Sequence, residues 1–348
     1  MGLQRIRIGI VGAGANTRLR HIPGLRAIEG VEIAGVVNRS AESTQRAAAE
    51  LAIPRTFPDW QSLVAAPDID SVMIGTWPNL HCEVTCAALA AGKHVLTEAR
   101  MSRNVAEAEQ MLAAAQARPD LVAQIVPSPF GLECGPAVER MIAGGVIGEL
   151  RELIVIGADD ACHDDSRPVH WRQDREISGV NVLTLGILHE TALRWTPPPV
   201  RVIAQSSLHS RRRGSDRNPD DRPTVPDSVL VLAELPGGAK GLYHFSGVAL
   251  FGPGKQIHLY GSRGTIKTEF GARERVFVGR AGERQLTELA IPPEERGRWR
   301  VEEEFIGAIR GEEVVRFTDF AAGLRYMQFM EAVSRSAQSG VPIALRGP

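Results

Sequence analysis

Cysteine is scarce in this chain: Cys82, Cys86, Cys134 and Cys162 are spread over 348 residues. Four thiols at irregular spacing do not make a disulfide framework, so a reducing compartment, the cytoplasm, is expected. Excess charge of either sign is also missing, with a formal net charge of -1 and an isoelectric point near 6.8. No long-range field is available to hold a polyanion or an acidic membrane surface, which argues against nucleic acid and membrane as partners. Long apolar runs are absent too. The first, IRIGIVGAG, is short and broken by glycine, unlike a signal peptide, and no later run reaches spanning length. Ile6 sits where an acylation motif starting at Gly2 requires Ser or Thr. A soluble, unanchored protein is the expectation.

What is present is rhythm. The length favours two domains. RIRIGIV (5–11), VEIAGVV (31–37), SVMIG (71–75), HVLTE (94–98) and LVAQIV (121–126) read as strands buried on both faces. Alanine-rich helical segments separate them, with Gly92 and Pro119 as stop signals. Such alternation implies right-handed crossovers and a doubly wound parallel sheet over residues 1–126. From 127 to 348 longer strands with polar breaks, LRELIVIGA, PDSVLVLAEL, AKGLYHFSGV and KQIHLYGSRGTIKTEF, predict a mainly antiparallel sheet with a helix at about 181–195. The charged, proline-punctuated stretch 209–227 reads as a mobile loop or an oligomer arm. A helix at about 318–337, with Phe320, Leu324, Met327 and Met330 on one stripe, is expected to supply core and to pack back on the first domain.

In IGIVGAGANTRLRHIPGL, Gly12 and Gly14 follow the first strand and precede a helix. A diphosphate must approach backbone N–H groups there, so Gly12, Gly14, Ala15, Asn16 and Thr17 are cofactor-loop candidates. Thr17 occupies the place of the third glycine in G-x-G-x-x-G. The second strand ends in Asn38 and Arg39, without the acid that holds the ribose hydroxyls of NAD. NADP or NAD is therefore the expected cofactor, with NADP favoured, and Arg39 is placed on a 2′-phosphate or on adenine.

Taken in order, GAGANTRLRHIPGL, VVNRS, TWPNLHCEVTCAALAAGKHVLTEA, GVIGELRELIVI and LTLGILHETALRW resemble the Gfo/Idh/MocA family of nicotinamide-dependent oxidoreductases. The resemblance implies an N-terminal Rossmann domain and a C-terminal α/β domain with a large open, mainly antiparallel sheet that often forms the oligomer interface. A homodimer or homotetramer is implied, with sugars, cyclitols or related polyhydroxylated small molecules as substrates. By the same match Thr76, Pro78, Asn79 and His81 would line the cofactor, with Trp77 near adenine or ribose, and Glu98 would face the nicotinamide ribose.

Two positions depart from the family's pattern. Its Glu-Lys-Pro motif reads Glu98-Ala99-Arg100 here, and the slots of its Asp/His pair hold Thr184 and Leu188. Ala99 cannot move a proton, and a guanidinium is no base, so Arg100 is left to orient substrate or stabilise an oxyanion. Histidine titrates near neutrality, which makes His189, oriented by Glu190, the first candidate base and His170 the second. Trp171, Arg172, Asn181, Thr184 and Glu190 complete the substrate-binding candidates. Asp159, Asp160, His163, Asp164 and Asp165 read as a solvated face, and no metal is assigned. Two alternatives stay open: a cofactor-binding sensor or partner protein without turnover, and a redox-neutral NAD-dependent glycosidase or lyase.

Overall fold

The structure, a computed structural model, describes residues 5–345. The chain divides into two compact units, Met1–Pro127 with Arg300–Leu324, and Ser128–Trp299 with Arg325–Pro348.

In the first unit, β1 (Ile6–Val11), β2 (Val31–Val37), β3 (Ser71–Ile74), β4 (His94–Thr97) and β5 (Ala123–Ile125) form a parallel sheet in the order β2-β1-β3-β4-β5. The β-branched runs predict these five strands, and all four residues of β3 are buried. A π-helical turn, Thr17–His21, runs directly into α1 (Ile22–Arg26) after β1. Helices α2 (Ala41–Glu50), α3 (Trp60–Ala65), α4 (Pro78–Ala90) and α5 (Val105–Gln116) complete the crossovers. Their starts are chemically marked: Ser40, Asp59 and Asn104 each accept a backbone N–H from the first turn of α2, α3 and α5. Because the strand order reverses direction between β1 and β3, their carboxyl ends open the crevice where such sheets bind ligands.

The second unit holds α6 (Gly135–Ala143), α7 (Arg175–Ser178) and α8 (Leu185–Leu193). Its described strands are β6 (Leu150–Ala158), β7 (Arg201–Ser207), β8 (Ser228–Glu234), β9 (Lys240–Ser246), β10 (Gly254–Gly261), β11 (Gly264–Phe270), β12 (Glu274–Arg280), β13 (Thr287–Glu288) and β14 (Ile343–Ala344). They form one sheet in the order β13-β12-β11-β10-β6-β9-β8-β7-β14, antiparallel except where β6 pairs with β9. One face is core: Val155, Val231, Tyr243, Phe245 and Leu259 pack with Leu185 and Leu188 of α8. Outer-face residues Ile203, Leu230, Leu232 and Leu242 are exposed. The run KQIHLYGSRGTIKTEF is a hairpin, β10 and β11, that turns at Ser262 and Arg263.

The last helix, α10, spans Phe320–Ser339, following α9 (Val301–Ile309). Residues 300–324, which the sequence reading assigned with 127–348 to the second domain, group with the first unit. The physical reason is a return of the chain to β5: Ile125 and Thr318 exchange backbone hydrogen bonds of 2.9 and 3.2 Å. Fully buried Gln124 ties this return, donating to Glu304 Oε1 at 2.9 Å and to Phe317 O at 2.8 Å.

Stretch 209–227 forms no helix or strand and is tied to its surroundings at two points. Arg212 is buried and donates to Asp164 O, Ala161 O and Gln173 Oε1 at 2.9, 2.7 and 3.2 Å. Buried Asp227 accepts the backbone N–H groups of His209 and Ser210 at 2.9 and 2.7 Å. Arg212 and Asp227 are thus spent on loop backbone, while Arg211, Arg213, Asp216, Arg217, Asp220 and Arg222 stay exposed.

Replacing Gln124 with Ala should lower stability by about 1–3 kcal/mol, since it removes the buried amide that donates to both Phe317 O and Glu304 Oε1. A chemical-denaturation midpoint equal to that of the parent chain would show that the return segment does not depend on this amide.

Candidate functional site

The cofactor loop is built by exclusion of side chains. Gly12 has φ +90°, and a Cβ there would lie 2.8 Å from Thr76 Cγ2 and 2.9 Å from the Gly75 carbonyl carbon. Ala13 N–H donates to Asn38 Oδ1 at 2.8 Å, and Asn38 Nδ2 donates to Ser43 O at 3.0 Å. Asn38, expected among the cofactor-binding residues, thus braces the loop. Thr17, expected as a cofactor contact, is buried, with Oγ1 donating to Gly12 O at 3.3 Å. Its counterpart is Gly75, where a Cβ would sit 2.1 Å from Thr17 Oγ1. The close helix–strand approach usually provided by a third glycine is achieved here from the opposite side. Gly14 and Ala15 are exposed at the helix start, where first-turn N–H groups have no intrahelical acceptor. These features fit a bound diphosphate.

At the ends of β2 and β3, the Arg39 guanidinium lies 5.6 Å from the Trp77 ring centroid. Arg39 is exposed and Trp77 half-buried, so this cationic and aromatic pair is open to a planar ligand. Thr76 and Asn79 are half-buried, whereas Pro78 is buried at the start of α4. His81, expected to line the cofactor, has no exposure. Its Nδ1 lies 2.8 Å from Arg100 O and its Nε2 3.1 Å from Thr76 O, so it staples two strand ends together. Burial pushes its pKa down.

The end of β4 carries the most concentrated chemistry. Glu98 Oε1 accepts from Asn16 Nδ2 at 2.5 Å and lies 3.0 Å from His21 Nε2. His21 Nδ1 lies 2.5 Å from Glu302 Oε1, the carboxylate at the start of α9. His21 is wholly buried, the Glu302 side chain is 5% exposed and that of Glu98 15%. Burial alone would depress the imidazole, but the hydrogen bonds to Glu302 and Glu98 outweigh it and raise its pKa to about 9. Burial would raise the Glu98 carboxyl, yet His21 and Asn16 hold it below its ordinary value. Glu98 is thus a carboxylate and His21 an imidazolium at neutral pH. Next to them the Ala99–Arg100 peptide is cis. The Arg100 side chain, expected to reach substrate oxygens, is buried.

In the second unit the expected residues separate into two groups. His189, the expected base, is a core residue: its ring stacks on Phe329 at 3.6 Å and its Nδ1 is 3.1 Å from Tyr243 Oη. Burial pushes its pKa down to about 3. Neither reach nor basicity suits it to proton transfer. Glu190, expected to orient it, instead accepts from Ser128 N–H at 3.1 Å and pairs with Arg194 at 2.9 Å. Asn181 is buried and donates to Ser178 O at 2.7 Å. Glu190 and Asn181, expected to meet substrate, are thus bonded within the second unit. Thr184 is half-buried at the N-cap of α8.

His170, Trp171 and Arg172 form the other group, with the Arg172 guanidinium 4.2 Å from the Trp171 ring and the His170 ring 5.4 Å from it. His170 Nδ1 accepts from Arg172 N–H at 3.3 Å, so the neutral ring carries its proton on Nε2. Burial, then Arg172 and Arg212, push its pKa down. Among the described residues no cluster of three His, Cys, Asp or Glu side chains could hold a metal ion. Asp159, Asp164 and Asp165 accept backbone N–H groups of their loops. Among the described residues, no helix is long and apolar enough to cross a membrane.

Residues 6–124 match the GFO/IDH/MocA oxidoreductase family with its NAD-binding Rossmann fold, and residues 137–267 match the GFO/IDH/MocA C-terminal domain. This chain belongs to the GFO/IDH/MocA family. A 1,5-anhydro-D-fructose reductase of Ensifer adhaerens is 36% identical over 264 residues, covering 75% of this chain and 74% of that one. A dTDP-3,4-didehydro-2,6-dideoxy-alpha-D-glucose 3-reductase of Saccharopolyspora spinosa is 27% identical over 279 residues, 79% of this chain and 75% of the relative. The structure of a levoglucosan dehydrogenase in complex with NADH and levoglucosan superimposes with a TM-score of 0.87 at 21% identity, covering 98% of this chain and 100% of that one. At that identity the likeness is one of fold. The family is one of NAD(P)-dependent dehydrogenases and reductases, and the first unit is its dinucleotide-binding domain.

Sequence reasoning passed over His21, Glu302 and Gly75. His21 and Gly75 lie within or beside the quoted motifs, but Glu302 is 281 residues from His21 and carries no local signal.

The raised pKa of His21 makes stability depend on pH. Native protein binds this proton more tightly than unfolded chain, so the contribution is complete below about pH 6.5 and is lost as pH rises through about 9. Denaturation midpoints of the parent chain should fall between pH 7 and 9 relative to those of His21→Gln; parallel pH profiles would remove His21 from this role.

Proposed function

We propose that the chain is an NAD(P)-dependent dehydrogenase or reductase acting on a sugar, a cyclitol or a related polyhydroxylated small molecule. One observation carries this reading: a side-chain-free turn at Gly12, an outward-facing helix start and the Glu98 carboxylate lie together at the carboxyl ends of β1, β3 and β4. The dinucleotide supplies hydride chemistry when bound. Backbone N–H groups of Gly14, Ala15 and Asn16 would take its diphosphate, and Arg39 with Trp77 would hold adenine. Since β2 ends in Asn38 and Arg39, no carboxylate repels a 2′-phosphate, which favours NADP over NAD.

For the substrate, the names of the Ensifer and Saccharopolyspora relatives support a sugar-derived compound. Trp171 offers an aromatic face between two polar neighbours, a surface suited to a sugar ring. With its proton on Nε2, His170 is a hydrogen-bond donor, suited to polarising a carbonyl oxygen rather than to removing a proton. This favours the reductive direction. The exposed row of Ile203, Leu230, Leu232 and Leu242 supports a homodimer or homotetramer. A second reading, a dinucleotide-binding protein without turnover, is favoured by the core position of His189 and by Ala99, which leaves no amine at the β4 end.

The deciding experiment titrates NADPH and NADH by fluorescence and then follows absorbance at 340 nm over sugars, inositols and their keto forms. Dinucleotide binding with turnover on one of these classes is expected; binding without turnover across a broad panel selects the second reading. Where turnover is found, His170→Ala should lower kcat by about 10²-fold. An unchanged kcat would take His170 out of the reaction.

Cofactor choice has its own test. Arg39→Ala should weaken NADPH more than NADH, while Trp77→Ala should weaken both alike, by about 10-fold for a lost stacking contact. Equal losses of NADPH and NADH in Arg39→Ala would show that this guanidinium reads no 2′-phosphate.

A further inference from the structure

The chain Glu302–His21–Glu98 costs more than a fold of this kind requires. His21 lies within 3.0 Å of a carboxylate on each side, where apolar side chains of similar volume would avoid the desolvation. Local geometry is adapted to the chain. Helical residues 17–21 form a π turn, a distortion often found at functional sites. Gly24 has no Cβ, and one built there would lie 2.9 Å from the Glu302 carboxylate. Exposure is graded: His21 has none, the Glu302 side chain 5% and that of Glu98 15%. The array therefore points one way, from interior to the carboxylate at the end of β4.

Glu98 is held from two further sides, by Asn16 Nδ2 at 2.5 Å and by Ala99 N–H at 3.2 Å on its other oxygen. Because Asn16 belongs to the helix start that faces the diphosphate, Glu98 lies one residue group away from the phosphate-binding amides. A carboxylate fixed at such a distance is an acceptor for a vicinal diol.

We propose that His21 is a positioning residue which, gripped by Glu302, fixes the Glu98 carboxylate to accept the ribose hydroxyls at the nicotinamide end of the bound dinucleotide. This rests on the dinucleotide reading above. An imidazolium has two N–H donors, one for Glu302 and one for Glu98, whereas the neutral ring formed above about pH 9 has one. The charged and titratable groups facing this pair are Glu302 from α9 and His81 from α4.

Ligands that differ by one ribose test it on the full chain. ADP carries the adenine half and diphosphate, ADP-ribose adds the second ribose, and NADH adds nicotinamide. In His21→Gln and in Glu302→Gln, calorimetric affinity for ADP should stay within about 2-fold of the parent, whereas ADP-ribose and NADH should weaken by about 10-fold or more, as for hydrogen bonds to a charged group. ADP affinity also certifies that each variant is folded. In the parent chain the preference for ADP-ribose over ADP should decline as pH rises through about 9, and in His21→Gln it should be flat. Equal weakening of all three ligands would assign His21 a merely structural role and overturn the proposal, as would no weakening of any. Failure of the parent chain to bind ADP, NADH or NADPH would instead overturn the dinucleotide reading itself.

Discussion

A hydrogen atom at position 75 is the constraint on which the first unit is built. With any larger group there, Thr17 Oγ1 and Gly12 O would both lie within 2.3 Å of it, and the first helix could not sit on the end of β3. That close approach sets where the helix begins, hence where its first-turn amides point. It also sets the π turn that delivers His21 to Glu98. A G-x-G-x-x-G pattern achieves the same approach from the helix side. Here the helix keeps a threonine and the strand end gives up its side chain. The threonine hydroxyl then bonds to Gly12 O, which adds a tie that glycine could not make.

Elsewhere the molecule handles buried polarity by a single rule: a charged group goes inside only where backbone or an opposite charge meets it. Lys93 donates to Ala66 O and Ile69 O at 2.9 and 2.6 Å. Arg194 joins Glu190 to the carbonyls of Ser128 and Phe130. Arg212 collects two carbonyls and a side-chain amide. In each case one side chain fastens a segment that has no regular ladder of its own, which meets the requirement that buried donors be paired. Unlike these three fasteners, the Glu302–His21–Glu98 chain ends in a carboxylate at the end of β4 that is 15% exposed.

How far the sequence reveals this depends on the range of the interaction concerned. Parallel strands buried on both faces, glycine turns and helix caps are local, and the five strands of the first sheet follow from β-branched runs alone. The hairpin of β10 and β11 was harder, because Ser262 and Arg263 turn without a glycine between them. Strand β7 carries a weak signal, since only Val202 and Ala204 are buried and apolar Ile203 faces outward with the polar residues. The direction of α8 is hidden for another reason. Leu185, Gly186, Leu188, His189, Glu190, Thr191 and Ala192 are all buried, so no polar face shows which way His189 turns. Long-range partners left no signal at all: Gln124 with Glu304, and His21 with Glu302, are 180 and 281 residues apart.

Histidine shows why residue type alone could not locate the chemistry. His81, His189 and His21 are all buried, yet the first meets two carbonyls, the second a phenyl ring and a phenol, and the third two carboxylates. Burial depresses the first two, while paired carboxylates carry the third to about 9. A histidine at that value is not poised to exchange a proton at neutral pH; it is a fixed positive charge. His170 is the reverse, a donor through Nε2 whose pKa is pushed down by burial of its ring and then by the Arg172 and Arg212 guanidinium groups. With Ala99 at the end of β4, this molecule holds a fixed cation behind a carboxylate and offers a neutral imidazole N–H in its second unit.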